Sequence, residues 1–281
     1  MTWYHELGIK YPLFQGGMAW ASNAELVAAV SNNGVLGIIG SGGRTANELR
    51  RMIRKTKTLT SQPFGVNLML LDKNIKQLLE VICEEKISVV TTGAGNPKEI
   101  IDTIIANNIK LFPVVPNKEI ALKMLKLPIF GIIVEGNEAG GHVGSQNLAS
   151  LLKEIAPICP LPLIAAGGIY DHHTASLANI LGANGVQVGT AFLLAKECHI
   201  SPIYQKLICK SEENGTSLIS DKNGHLTRLL NISSEHSSNK SLKAAVETGD
   251  LINGAFMAGS SSAYLEKIEP VETIIQRIMK K

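Results

Sequence analysis

Apolar and polar positions along this chain alternate between short apolar runs and longer stretches of helical period. The runs fall at 13–18 (LFQGGM), 35–40 (VLGIIG), 64–70 (FGVNLML), 89–95 (VVTTGAG), 110–115 (KLFPVV), 131–135 (GIIVE), 162–168 (PLIAAGG) and 185–190 (GVQVGT). Their continuous β-branched character predicts strands buried on both faces, and three of them end in glycine. Pro113 counts against a central strand in the fifth run, because it removes a ladder donor. Between the runs, Asn23 caps a helix that Asn33-Gly34 closes, and Thr45 opens one over 45–58 with Glu48 as capping-box partner. Further helices are predicted over 75–86, from Pro97, after Asn117, over 147–156 and over 172–181, with another opening near Ala191.

Eight strands alternating with helices imply right-handed parallel crossovers and an α/β fold. A closed (β/α)8 TIM barrel is expected, since no GxGxxG opens the first helix as a dinucleotide-binding half requires. After about residue 197 the texture turns polar. Residues 1–199 are therefore read as the barrel, and 200–281 as a small C-terminal cap with barrel-completing helices, the last over 270–279. Within this region 224–228 and 255–259 read as more ordered, and 233–239 as the most loop-like part.

A length of 281 residues suits one such barrel, which needs roughly 250. With 45% hydrophobic and 18% charged residues the chain is globular rather than disordered, and a net charge of +3 with scattered signs implies no nucleic-acid partner. The basic run Arg50 to Lys57 falls at helical spacing and reads as a solvated helix face. The four cysteines form no CxxC pair, and reduced thiols are the simple account. No metal ligation is expected, because the seven histidines show no HxH or HxxxH spacing. No apolar run approaches the ~20 residues of a membrane span, and MTWYHELGIK is no secretory signal. A cytoplasmic location is expected.

Chemistry gathers at the strand ends. The ends of the seventh and eighth runs, Gly167-Gly168 and Gly189-Thr190, match the phosphate cradle of such barrels, where backbone N–H groups meet an anion. Tight turns with no ligand are the alternative. A phosphate site beside Gly-rich, mostly uncharged strand ends suits FMN. The backbone of Gly17 and Met18 would lie against the ring, Asn67 would bond its pyrimidine edge, and Glu135 would bind ribityl hydroxyls or orient a neighbour. Asn67 reads equally as a buried amide serving a nearby loop. The stretch from Gly131 to Gly144, GIIVEGNEAGGHVG, places His142 among glycines just beyond a barrel strand, where titratable chemistry belongs. A solvated histidine on a surface turn is the competing account. His225 beside Arg228 would meet an anionic substrate, or simply lie on solvated surface.

The segments YPLFQGGMAW, FGVNLML, VVTTGAGNP, EGNEAGGHVG, LPLIAAGGI and GVQVGTAFLLAKE resemble the FMN-dependent enoyl-acyl-carrier-protein reductase II family. That family belongs to the nitronate monooxygenase superfamily of flavin barrels. The likeness covers most of residues 3–200 and returns in ISDKNGHLTRLL and AFMAG.

The resemblance implies reduction of the trans-2 double bond of an acyl chain on acyl carrier protein, the closing step of each fatty-acid elongation cycle. NADH or NADPH is the implied co-substrate, with the flavin passing hydride to the β-carbon. It implies that His142 is catalytic, as proton donor to the α-carbon or hydrogen-bond donor to the developing oxyanion. It places FMN against Gly17, Met18, Asn67, Glu135, Gly141, Gly167, Gly168, Gln187, Gly189 and Thr190, with Met257-Ala258-Gly259 closing over it. Activation by a monovalent cation and a homodimer are further family traits. The region after Arg228, which helps wall the substrate site, is shorter here than in the reductases. Two other functions fit the same residues: a nitronate monooxygenase, with His142 abstracting an acidic α-proton and O2 reoxidising the flavin, and a flavin-binding protein without turnover.

Overall fold

The structure, a computed structural model, describes residues 2–280 apart from Ala94, 221–223 and 233–239. Part of the fourth strand exit, Asp221 to Asn223 of ISDKNGHLTRLL, the loop-like stretch 233–239 and His236 thus lie outside the described residues.

Eight parallel strands form the wall: β1 (Leu13–Gln15), β2 (Gly37–Gly40), β3 (Phe64–Met69), β4 (Val89–Gly93), β5 (Lys110–Val115), β6 (Ile132–Glu135), β8 (Leu163–Ala166) and β9 (Gly185–Val188). A further strand, β7 (Gly141–Val143), lies outside it. Neighbours run β1-β9-β8-β6-β5-β4-β3-β2, and a parallel bridge between Phe14 and Leu36 brings β1 beside β2. There Leu36 N–H donates to Leu13 O (3.1 Å) and Gln15 N–H to Leu36 O (2.9 Å), which closes the ring. The fold is a (β/α)8 TIM barrel. Pro113 stands inside β5 in register with Thr92, so packing overrides its missing donor.

The period of two sorts each strand between two cores. Ile132 and Val134 of β6 face the outer helices, whereas Ile133 joins Phe14, Ile38, Val89, Phe112 and Ile164 inside the barrel. Phe14 and Phe112 meet edge to face at 5.2 Å on this floor, and Trp3 packs against both.

Local chemistry forms the helices as the sequence predicts. Asn23 accepts from Leu26 N–H, and Thr45 with Glu48 makes a reciprocal capping box on the helix Ala46–Leu59. The basic face of that helix is solvated as expected, with Arg51, Arg54, Lys55 and Lys57 exposed, and Arg50, Arg54 and Lys57 converge on the buried Glu85 carboxylate. Burial alone would raise this group, and the hydrogen bonds from Arg54 and Lys57 outweigh it to hold Glu85 below the usual carboxylate range.

Beyond the barrel, β10 (Thr216–Ser220) and β11 (Leu226–Leu230) form an antiparallel hairpin that pairs with β7 in the order β10-β11-β7. The terminal helix Val271–Met279 buries Val271, Ile274, Ile275 and Ile278. Among the described residues no helix is long and apolar enough to cross a membrane.

Candidate active site

Continuing the alternation upward places a polar layer at the carboxyl end of the barrel. Asn67 follows Gly65 on the inner face of β3, Thr91 follows Val89 on β4, Glu135 follows Ile133 on β6, and Gln187 follows Gly185 on β9. Parallel register sets Gly40, Asn67 and Thr91 side by side, and likewise Glu135, Ala166 and Gln187. Barrels of this kind keep their chemistry at this end.

Asn67 Nδ2 donates to Thr91 Oγ1 at 2.9 Å, which leaves the amide oxygen as an acceptor toward the mouth. The neighbour that the amide serves is the buried Thr91. Gly17 lies directly over Asn67: a Cβ on Gly17 would stand 2.4 Å from Asn67 Cβ. Met18 reaches across to the β9 exit, where its Sδ would lie 3.6 Å from a Cβ on Gly189.

Glu135 has no hydrogen-bond or ion-pair partner among the described residues, and burial pushes its carboxyl up to about 8. The side chain keeps some exposure through the mouth. At neutral pH it is a neutral acid that both donates and accepts. Its proton is bound more tightly in the folded chain than in the unfolded one, where the value is 4.5. Folding is therefore unaffected by this group below 4.5 and opposed progressively as pH climbs toward 8. The flavin-free protein is expected to lose thermal stability across that window. Glu135→Gln should flatten the loss in melts taken at intervals from pH 5 to 8.5, and parallel curves for the two proteins would refute the assignment.

The β8 exit turns on Gly167 (φ 108°) and Gly168 (φ 69°), both left-handed, as a cradle of N–H groups requires. A Cβ on Gly167 would lie 3.1 Å from Gly136 O, and one on Gly168 3.3 Å from Glu138 Cβ. Thr190 does not prolong β9 as the sequence suggests but opens a four-residue helix, Thr190–Leu193. Its hydroxyl accepts from Gly259 N–H at 2.9 Å, so Thr190 is tied to the C-terminal segment.

That segment, Met257-Ala258-Gly259, closes the ring of contacts. Ser260 N–H donates to Glu138 O (2.9 Å), a Cβ on Gly140 would strike Ala258 at 2.6 Å, and one on Gly141 would sit 3.4 Å from Met257 Sδ. Tyr204 Oη donates to Met257 O at 2.6 Å from beneath. All the residues expected to hold the flavin thus gather at one end of the barrel.

His142 departs from expectation in one respect. The turn after Glu135 contains a strand of its own, β7, and His142 is its exposed middle residue, opposite Thr227 of β11. Gly141 anchors one end against Met257, and Gly144 the other against Pro116, where a Cβ would meet Pro116 Cβ at 2.8 Å. The imidazole is therefore carried on a braced edge strand, not on a free turn. Arg228, opposite Gly141, donates Nε–H to Asn137 O (2.6 Å) and Nη1–H to Thr216 Oγ1 (3.0 Å). It fastens the hairpin to the loop and is no loose surface cation. His225 is exposed.

A Gly-lined slot, left-handed N–H corners and neutral polar side chains fit a planar ring with an anionic tail. Among the described residues no group of three or more His, Cys, Asp or Glu could hold a metal ion. A separate cleft of about 400 Å3 between the helix Pro202–Cys209 and the β10–β11 hairpin is lined by none of the residues expected to hold the flavin, nor by His142.

The family model described as "Nitronate monooxygenase" matches residues 3–79 and 73–281. The chain belongs to the nitronate monooxygenase family. As a member of that family it is an oxidoreductase. Among its relatives, (3aS,4S,5R,7aS)-5-hydroxy-7a-methyl-1-oxo-octahydro-1H-indene-4-carboxyl-CoA dehydrogenase of Rhodococcus jostii is 32% identical, over 83% of this chain and 67% of that protein. A probable nitronate monooxygenase of Staphylococcus haemolyticus is also 32% identical, over 82% of this chain and 79% of its own. Among solved structures, FabK from Thermotoga maritima superposes with a TM-score of 0.93 at 38% identity, over 98% of this chain and 93% of the other.

Sequence reasoning missed Thr91, Glu138 and Tyr204 within this nitronate monooxygenase fold. Thr91 had a signal, because Thr91-Thr92 breaks an apolar strand as Asn67 does. Glu138 had none: its carboxylate accepts from Leu148 N–H (3.0 Å) at a helix start ten residues away, already capped by Asn147.

Proposed function

We propose that the chain is an FMN-dependent enoyl-acyl-carrier-protein reductase that consumes NADH or NADPH. The carrying observation is the whole-length likeness to FabK, an enoyl-acyl-carrier-protein reductase II, at 38% identity. The partner is an acyl carrier protein bearing a trans-2-enoyl thioester. When bound, FMN supplies the hydride for the β-carbon.

The chain's own residues do the rest. The N–H groups of Gly167 and Gly168 hold the phosphate tail, and Asn67, oriented by Thr91, accepts from the ring's pyrimidine edge. Neutral Glu135 donates to a ribityl hydroxyl, which suits it better than an ionised carboxylate would. Met257, Ala258 and Gly259 wall the slot against water. His142 donates a proton to the α-carbon, or a hydrogen bond to the thioester oxygen as charge develops there. Positioning and charge stabilisation are what the protein contributes to such chemistry.

A second reading, a nitronate monooxygenase, is favoured by the name of the 32% identical Staphylococcus haemolyticus relative. One experiment separates the two. Anaerobic titration with NADH should bleach the bound flavin, and crotonyl thioester should then restore the colour. Oxygen uptake with nitroalkanes, and no reoxidation by the thioester, would reverse the assignment.

A further inference from the structure

Beside the mouth, between the exits of β1 and β2, lies a cluster that the proposed chemistry leaves unused. Trp20 holds a left-handed φ of 64°, a conformation that a bulky side chain rarely adopts and that marks strain kept for a purpose. Two cations from different segments rest on its indole. The Arg44 guanidinium carbon, from the β2 exit, lies 4.7 Å from the ring centroid. The Lys243 ammonium, from the helix Leu242–Glu247, lies 4.4 Å from it. Gly43 (φ 73°) lets the indole edge approach, with Trp20 Nε1 3.3 Å from where a Cβ would stand.

Arg44 is half-buried, and its polar partners among the described residues are two carbonyls, Gly40 O (3.3 Å) and Trp20 O (3.4 Å). Among the described residues no carboxylate comes within ion-pair distance of it, and Glu48 and Glu247 favour its charge only from further off. Glu48 accepts from Thr45 at 2.7 and 2.8 Å, and Asp72 accepts from Gly43 N–H at 3.2 Å. Glu247 stands 3.9 Å from Lys243, at the outer limit of an ion pair. A guanidinium fork and an ammonium held against an aromatic wall make a site for an esterified phosphate. Gly40, four residues before Arg44, is in register with Asn67 and packs against Met18 O, so this rim adjoins the ring slot.

We propose that Arg44 and Lys243, held on Trp20, bind the esterified phosphate of a co-substrate whose reactive end enters the barrel mouth. The site rests on the reductase reading, in which the pantetheine arm of an acyl thioester brings a phosphodiester on the carrier protein or a diphosphate in coenzyme A, and the nicotinamide dinucleotide brings a diphosphate.

The test compares Arg44→Ala and Lys243→Ala with the parent holoenzyme. Three rates are measured: reduction of crotonyl-coenzyme A, reduction of the phosphate-free crotonyl-N-acetylcysteamine thioester, and anaerobic bleaching of flavin by NADH. Lys243 is surface-exposed, so its variant reports binding without risk to folding. If the arm is the source, kcat/KM for the coenzyme A thioester falls about tenfold or more, through KM, while the other two rates hold. If the dinucleotide is the source, bleaching slows by a similar factor and the thioester rates at saturating NADH do not move. Equal losses with both thioesters at unchanged bleaching, or no loss in any rate, overturn the proposal. Should the parent protein reduce neither thioester, the reductase reading has failed on its own. The rim is then judged by coenzyme A titration followed through tryptophan fluorescence, where tenfold weaker binding by the variants supports it and equal binding overturns it.

Discussion

Replacing His142 with alanine is expected to leave a yellow, FMN-loaded protein whose enoyl reduction falls by about 10²–10⁴-fold, the usual worth of a positioned proton donor. The split follows from where the residue sits. Apart from Gly141, which opens β7, every side chain and corner assigned to the flavin lies on the barrel exits or on the 257–259 segment, whereas the imidazole is the exposed centre of β7. Its loss empties no core and breaks no strand pairing, because β7 pairs with β11 through backbone groups. Flavin absorbance, anaerobic bleaching by NADH and crotonyl thioester turnover, measured on one preparation, separate the outcomes. Normal turnover would defeat the assigned role, and a colourless protein would mean that the imidazole serves the flavin instead.

A larger loss of cofactor is expected from Gly17→Ala. The added Cβ would lie 2.4 Å from Asn67 Cβ and 3.1 Å from Ile38 Cγ2. Both neighbours belong to the barrel wall: Asn67 is in register with Gly40 and Thr91, and Ile38 is wholly buried in the barrel interior. Neither can retreat, so the β1 exit loop must lift away from the slot. Overpacking of this kind costs about 1–3 kcal/mol of stability. Flavin affinity should fall at least about tenfold as ring contact and the Asn67 acceptor are displaced together. Equal flavin affinity in the Gly17 variant and the parent would show that the loop does not line the ring site.

Much of the fold is legible from short-range pattern. Each strand alternates between outer helices and inner floor, and caps such as Asn23, Thr45 with Glu48, and Asn117 act within three or four residues. The left-handed corners at Gly167 and Gly168 are equally local, because only a missing Cβ admits them at no cost. The polar stretch around 216–220 is the clearest failure. TSLIS offers too short an alternation to announce a strand, and it becomes one because β11 pairs with it on one side and with β7 on the other.

By itself, then, the sequence determined a barrel, the end of it that carries chemistry, and the glycines that leave room there, all properties of neighbouring residues. Only the tertiary structure decided that His142 rides on an edge strand, that Thr91 aims Asn67, that Glu135 is held neutral, and that Arg44 and Lys243 share one indole. Each of these depends on desolvation or on a partner tens of residues away, and barrel closure, which no local pattern spells out, is what brings those groups together.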